Sequence, residues 1–179
     1  MGVALQNLGK LDEAVASYLK ALAIKPDYAE AHSNLGIALQ DLGKLDEAMA
    51  SCLKALAINA DYAGAHNNLG VVLNELGRVD EAFTCHRRAI ALNPLKDSFW
   101  VGLAASLETL SFNSVDNGLW HDLLHLLDRP KVTPSRVVRP VISALRHHPD
   151  FSRILKLTGS GKPETGIAYG DIAGQLSAV

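Results

Sequence analysis

Along most of this chain apolar residues return at spacings of three and four, the mark of a helix with one face on a core. Ala31, Leu35, Ala38, Leu39 and Leu42 make one such stripe. Gly43 follows, and glycine enters the left-handed region that ends a helix without a Cβ penalty. Asp46 is then expected to cap a second helix, with Glu47 in its first turn facing the positive end of the dipole. The stripe of that second helix reads Ala48, Leu53, Ala55 and Leu56, and Asn59-Ala60-Asp61 closes it. The pattern predicts a helix, a tight turn and a second, antiparallel helix. Neither helix buries its apolar face alone, so such a unit needs neighbours.

The chain supplies them. LGIALQDLGKLDEAMASCLKALAINADY, from Leu35, repeats MGVALQNLGKLDEAVASYLKALAIKPDY, from Met1, at 21 of 28 positions. A third copy, LGVVLNELGRVDEAFTCHRRAIALNPLK, starts at Leu69, one 34-residue period further on. A period of that length means stacked supersecondary units. Pro26 and Pro94 stand where each copy must stop being helical. The recurrent Asp-Glu pairs (Asp12-Glu13, Asp46-Glu47, Asp80-Glu81) fall at helix starts, where acidic residues are favoured, and read as capping groups rather than catalytic carboxylates.

This pattern resembles the tetratricopeptide repeat. Counting from Ala29 as position 1, Leu35 and Leu69 match position 7, and Gly2, Gly36 and Gly70 match the small residue at position 8. Ala14, Ala48 and Ala82 match position 20, and Ala21, Ala55 and Ala89 match position 27. Trp100 matches the aromatic at position 4, where His32 and His66 depart from it. Tyr18 alone keeps the aromatic at position 24, with Cys52 and His86 in its place. The resemblance covers residues 1–110 and implies an all-α fold: an alpha-alpha superhelix of antiparallel pairs, about three repeats plus the first helix of a fourth. Asp97 onward is that helix, with Trp100, Leu103 and Leu107 in register. Met1 aligns with position 7, so the first helix is expected to be clipped, with an apolar edge (Val3, Ala4, Leu5, Leu8) open to self-association.

After Leu110 the pattern changes. Residues 111–158 are expected to form a C-terminal helical segment that caps the solenoid, and the glycine-rich 159–179 a flexible tail. This stretch resembles the one between a tetratricopeptide array and a catalytic domain in some bacterial methyltransferases and glycosyltransferases. That likeness implies an alternative role, the recruiting or dimerising arm of a larger transferase.

Composition narrows the function. A net charge of −2 over 179 residues leaves no electrostatic footprint for nucleic acid or an anionic membrane. No run of about 18 apolar residues is present. Cys52 and Cys85 show no metal or redox spacing and are expected as core or half-buried thiols; a cytoplasmic location is the expectation. Thr158-Gly-Ser-Gly-Lys-Pro163 lacks the first glycine and the hydroxyl of a phosphate loop. His121 and His125 have a metal-compatible spacing without a third ligand. No catalytic residues, metal or cofactor are assigned.

What remains is a surface. The resemblance implies that positions 2, 5, 6, 9, 12 and 13 line the concave face, and helical spacing agrees for 2, 6, 9 and 13. In copy two these are Glu30, Ser33, Asn34, Ile37, Gln40 and Asp41. In copy three they are Gly64, Asn67, Asn68, Val71, Asn74 and Glu75, and copy one retains Val3, Gln6 and Asn7. Asn34 and Asn68 share position 6, and a carboxamide both donates to and accepts from one peptide unit. Such an asparagine ladder resembles that of the O-linked N-acetylglucosamine transferase superhelix. The expected function is a non-catalytic interaction module that binds an extended peptide or partner protein. No basic residue stands at positions 5, 9 or 12, so an acidic C-terminal tail is not the favoured ligand.

Overall fold

A computed structural model describes residues 2–108 and Leu126. The expectations placed on 111–158 and 159–179, including the His121/His125 pair, otherwise lie outside the described residues. The chain divides into two units, Met1–Leu110 and Ser111–Val179.

The described part of the first unit is all helical. In order come α1 (Gly2–Asn7), α2 (Leu11–Ile24), α3 (Ala29–Asp41), α4 (Leu45–Ile58), α5 (Ala63–Glu75), α6 (Val79–Leu92) and α7 (Asp97–Leu107). Each helix packs on the next, and α3 also touches α5, and α5 touches α7. That is a helical-repeat superhelix in which the first helices of successive repeats stand side by side.

The turn inside each repeat is one structure built three times. Gly9, Gly43 and Gly77 have φ of +72°, +75° and +75°. Around Gly43 the amide of Lys44 reaches the Leu39 carbonyl at 2.9 Å, and that of Gly43 reaches Gln40 at 2.8 Å. These paired bonds satisfy carbonyls that the helix end leaves free. The turns of Gly9 and Gly77 repeat both bonds.

Two expectations need correction. Lys44, not Asp46, occupies the N-cap of α4, and no side chain caps it. Asp46 and Glu47 lie inside the first turn, where their charges meet the helix dipole without a capping bond. The buried stripe of α4 is Ala48, Ser51, Cys52 and Ala55, whereas Leu53 is half exposed. The cause is close approach: a Cβ on Gly36 would lie 2.6 Å from the Cys52 sulfur and 3.3 Å from the Ala48 carbonyl. Only small side chains fit where α4 presses on α3, so Leu53 is turned outward.

That contact recurs. Gly2 meets the Tyr18 ring and Gly70 the His86 ring, so position 8 is glycine to admit whatever stands at position 24. Leu35, Ala38, Leu39, Ala48 and Val72 continue the core with Ala14 and Tyr18, and Leu69, Leu73, Ala82 and Cys52 extend it. Trp100, Leu103 and Leu107 of α7 are all buried. In and just after α1, Val3 and Leu8 are exposed, and Leu5 packs half-buried on the core.

Position 4 shows how a departure from the pattern is absorbed. The Trp100 indole donates to the Pro94 carbonyl at 2.8 Å. His32 does the same to Pro26 at 2.9 Å, and His66 to Ala60 at 2.8 Å. A carbonyl only accepts, so Nε2 of each histidine carries the proton. The histidines replace the aromatic ring and keep its N–H.

Candidate peptide-binding groove

Hydrogen bonds between repeats show which side chains share a face. Gln6 of α1 donates to Asp41 of α3 at 3.3 Å, and Gln40 of α3 donates to Glu75 of α5 at 2.6 Å. Both bonds run from position 12 of one repeat to position 13 of the next. Asn74, also at position 12, exchanges bonds with Ser106 of α7 at 3.0 and 3.1 Å. The shorter asparagine reaches position 10 instead of 13. One bond runs the other way: Asn68 donates to the Ser33 hydroxyl at 2.9 Å.

The first helices therefore present one continuous polar strip. Gln40, Asn74, Asn67, Asn68 and Asn34 are half-buried along it, Asp41 and Glu75 are exposed, and Ser33 is buried. Gln6 is anchored from behind by the Tyr18 hydroxyl, which donates to its carbonyl oxygen at 2.8 Å. Burial, with the nearby charge of Glu30, raises the Tyr18 pKa and keeps it the donor. The Tyr62 hydroxyl lies near Ser33, and burial with the charge of Glu30 raises its pKa more than Ser33 lowers it. Tyr28 donates to Glu30 at 3.2 Å.

The pairings leave unequal freedom for a ligand. Asn34 makes no hydrogen bond among the described residues, so its whole carboxamide is available. Asn68 has spent one of its two N–H groups on Ser33 and keeps its second. Asn67 approaches Asn68 at a long 3.5 Å, and its own carbonyl oxygen is enclosed without a partner. Between the carboxamides Ile37 and Val71 form a half-buried apolar floor.

Neither thiol belongs to this strip. Cys52 is fully buried and its pKa is pushed up to about 12, by burial first and by nearby Cys85 second. Cys85 is half-buried and likewise raised, by burial and then Glu81. Among the described residues no helix is long and apolar enough to cross a membrane.

Family comparisons agree with this architecture. Residues 2–43 match the model described as TPR repeat, and residues 29–62 and 51–84 match two models described as tetratricopeptide repeat. The chain carries tetratricopeptide repeats. Among solved tetratricopeptide structures, the first TPR of Spaghetti (RPAP3) bound to the HSP90 peptide SRMEEVD is 27% identical, with a TM-score of 0.56. The match covers 59% of this chain and 83% of that one. The Arabidopsis OM64 TPR domain is 25% identical at a TM-score of 0.58, over 61% of this chain and 90% of the other. The second TPR domain of human RPAP3, solved with the HSP70 peptide SGPTIEEVD, shares the fold at 23% identity and a TM-score of 0.55. That match covers 59% of this chain and 88% of that domain. Comparison with curated protein sequences gives no match.

Repeat position names these side chains but not their partners. The offset from position 12 to position 13 arises from the rotation between stacked repeats, which no single repeat encodes. Tyr28 and Tyr62, at position 34, are not marked by the repeat pattern. Their place just before the first helix, beside the acidic or small residue at position 2, was the available signal.

Proposed function

We propose that this chain is a non-catalytic protein-interaction module that captures an extended peptide on the face shared by α1, α3, α5 and α7. The observation that carries the reading is the common face itself. Equivalent positions of successive repeats bring Gln6, Gln40 and Asn74 into one row, with Asn34 and Asn68 in a second.

The row of position 12 is tied into inter-repeat bonds and gives the groove a fixed shape before any ligand arrives, which lowers the ordering cost of binding. The row of position 6 keeps free donors and acceptors, which suits a peptide backbone. Asn34 and Asn68 grip main chain, while Ser33, Asn67, Asp41 and Glu75 border the side-chain sites. The peptide-bound RPAP3 structure supports such use of the fold. Its ligand ends in acidic residues, and this groove has no basic side chain at the positions named above to receive them.

A peptide array, followed by titration of the strongest binder, tests the reading. Asn34→Ala with Asn68→Ala removes bonds each contributing about 0.5–1.5 kcal/mol, so affinity should fall by about 1–3 kcal/mol, roughly five- to 150-fold. Unchanged affinity in the double variant would refute it.

A further inference from the structure

The charges of the described repeats are sorted by helix. Nine lysines and arginines lie between residues 2 and 108, and none of them is in α1, α3, α5 or α7. They stand in the second helices, the glycine turns and the loops between repeats. Carboxylates have no such restriction: Glu30, Asp41 and Glu75 all belong to the groove-lining helices.

Those three carboxylates are held by neutral donors rather than by cations. Three acidic side chains outside those helices have a cation beside them: Arg78–Glu81 and Arg88–Asp61 at 2.7 Å, Lys10–Glu13 at 3.2 Å. Among the described residues no cation pairs with Glu30, Asp41 or Glu75. Each instead accepts from a neutral donor, namely Tyr28, Gln6 and Gln40. A neutral donor orients a carboxylate and leaves its full charge in place. The lysines of the loops between repeats lie over rings: Lys25 is 5.2 Å from the centre of Tyr28, and Lys96 5.4 Å from that of Phe99.

We infer that this groove selects a cationic extended segment, an arginine- or lysine-bearing stretch of a partner protein, with Asp41 and Glu75 receiving its basic side chains and Glu30 adding to the field. The inference rests on the peptide-capture reading. Asp41 and Glu75 occupy the same position one repeat apart, so they mark two side-chain sites along the ligand. Their carboxamide partners hold them oriented beforehand. Charge complementarity of this kind speeds encounter and rejects wrong partners, and an acidic peptide meets only repulsion here.

Three fluorescein-labelled peptides of one extended scaffold, bearing Arg, Gln or Glu at the same alternate positions, test this by fluorescence polarisation. The Arg peptide should bind about three- to tenfold tighter than the Gln peptide at low salt, the sum of two exposed pairs, and the Glu peptide weakest. The gap should narrow at physiological salt as screening shortens to about 8 Å. Asp41→Asn with Glu75→Gln should close most of it while circular dichroism and melting temperature stay as they were. Equal binding of the Arg and Glu peptides, or a gap that survives the carboxamide variant, overturns the inference. If the Gln peptide binds as well as the Arg peptide, and Asn34→Ala with Asn68→Ala weakens both, only the charge selection is lost. If no peptide binding depends on the two asparagines, the capture reading falls and this inference with it.

Discussion

His86 makes the third repeat sensitive to acid. Its ring is fully buried at position 24, and among the described residues both ring nitrogens lack a hydrogen-bond partner. It lies between two glycines: a Cβ on Gly70 would come within 2.7 Å of it, and one on Gly102 within 2.5 Å. Burial alone pulls its pKa from 6.5 down to about 4. The folded chain therefore holds this histidine neutral while the unfolded chain takes a proton as pH falls below 6.5. Stability on this account is full above pH 6.5, declines from there, and is lost by the time pH reaches the folded pKa. At about 1.4 kcal/mol per unit the whole descent is worth about 3 kcal/mol. Methionine is a suitable non-titrating replacement because its flexible chain adapts to an irregular gap. Urea titrations of native chain and His86→Met, followed by far-ultraviolet circular dichroism from pH 7.5 to 4, isolate the effect. The carboxylates and remaining histidines titrate in both chains and cancel in the difference. With a slope of about 1–3 kcal/mol per molar urea, the native midpoint should fall by about 1–3 M more than that of the variant. Parallel losses in the two chains would show that His86 does not stay neutral in the fold, and the reasoning would fail.

Two further outcomes follow from contacts already described. His32→Phe should cost about 1 kcal/mol in denaturant unfolding, because the Pro26 carbonyl loses its donor, whereas His32→Trp should recover most of that loss; equal stability of the two variants would show that the ring and not its N–H matters. Gly36→Ala should destabilise by about 1–3 kcal/mol through the clash at 2.6 Å with the Cys52 sulfur, and Cys52→Ala added to it should cost less than on the native background; additive losses in the thermal melts would locate the strain elsewhere.

How far the sequence foretold all this differs by level. The helices and turns were legible because they rest on local chemistry repeated three times: a stripe at helical spacing, then Gly43 and its equivalents at positive φ. The inner face of α4 was not, because hydrophobicity ranks Leu53 above Ser51 and Cys52 while close helix packing ranks by size. The cap was misplaced for a related reason. Asp46 is a good capping residue in isolation, but the turn that Gly43 sets puts Lys44 at the helix start. In the proposed groove, repeat position names the side chains and could not give their pairing. Gln40 finds Glu75 across 35 residues only once one repeat is rotated against the next. His32 and His66 looked like lapses from an aromatic position, and only the loop carbonyl opposite them reveals what that position requires.

The ring-to-carbonyl bond also says where a copy of this repeat could be cut and pasted. In every instance the accepting carbonyl lies six residues before its donor, in what sequence alignment assigns to the previous copy: Pro26 with His32, Ala60 with His66, Pro94 with Trp100. An array lengthened by duplication keeps its joints sound if the break falls upstream of that carbonyl, at the tail of a second helix, because loop and ring then move as one piece. A break at the first residue of the next helix separates the two, and each new junction inherits a carbonyl chosen for another ring. Since a histidine and a tryptophan both fill the role, such a junction tolerates a change of ring more readily than a change of the loop that faces it.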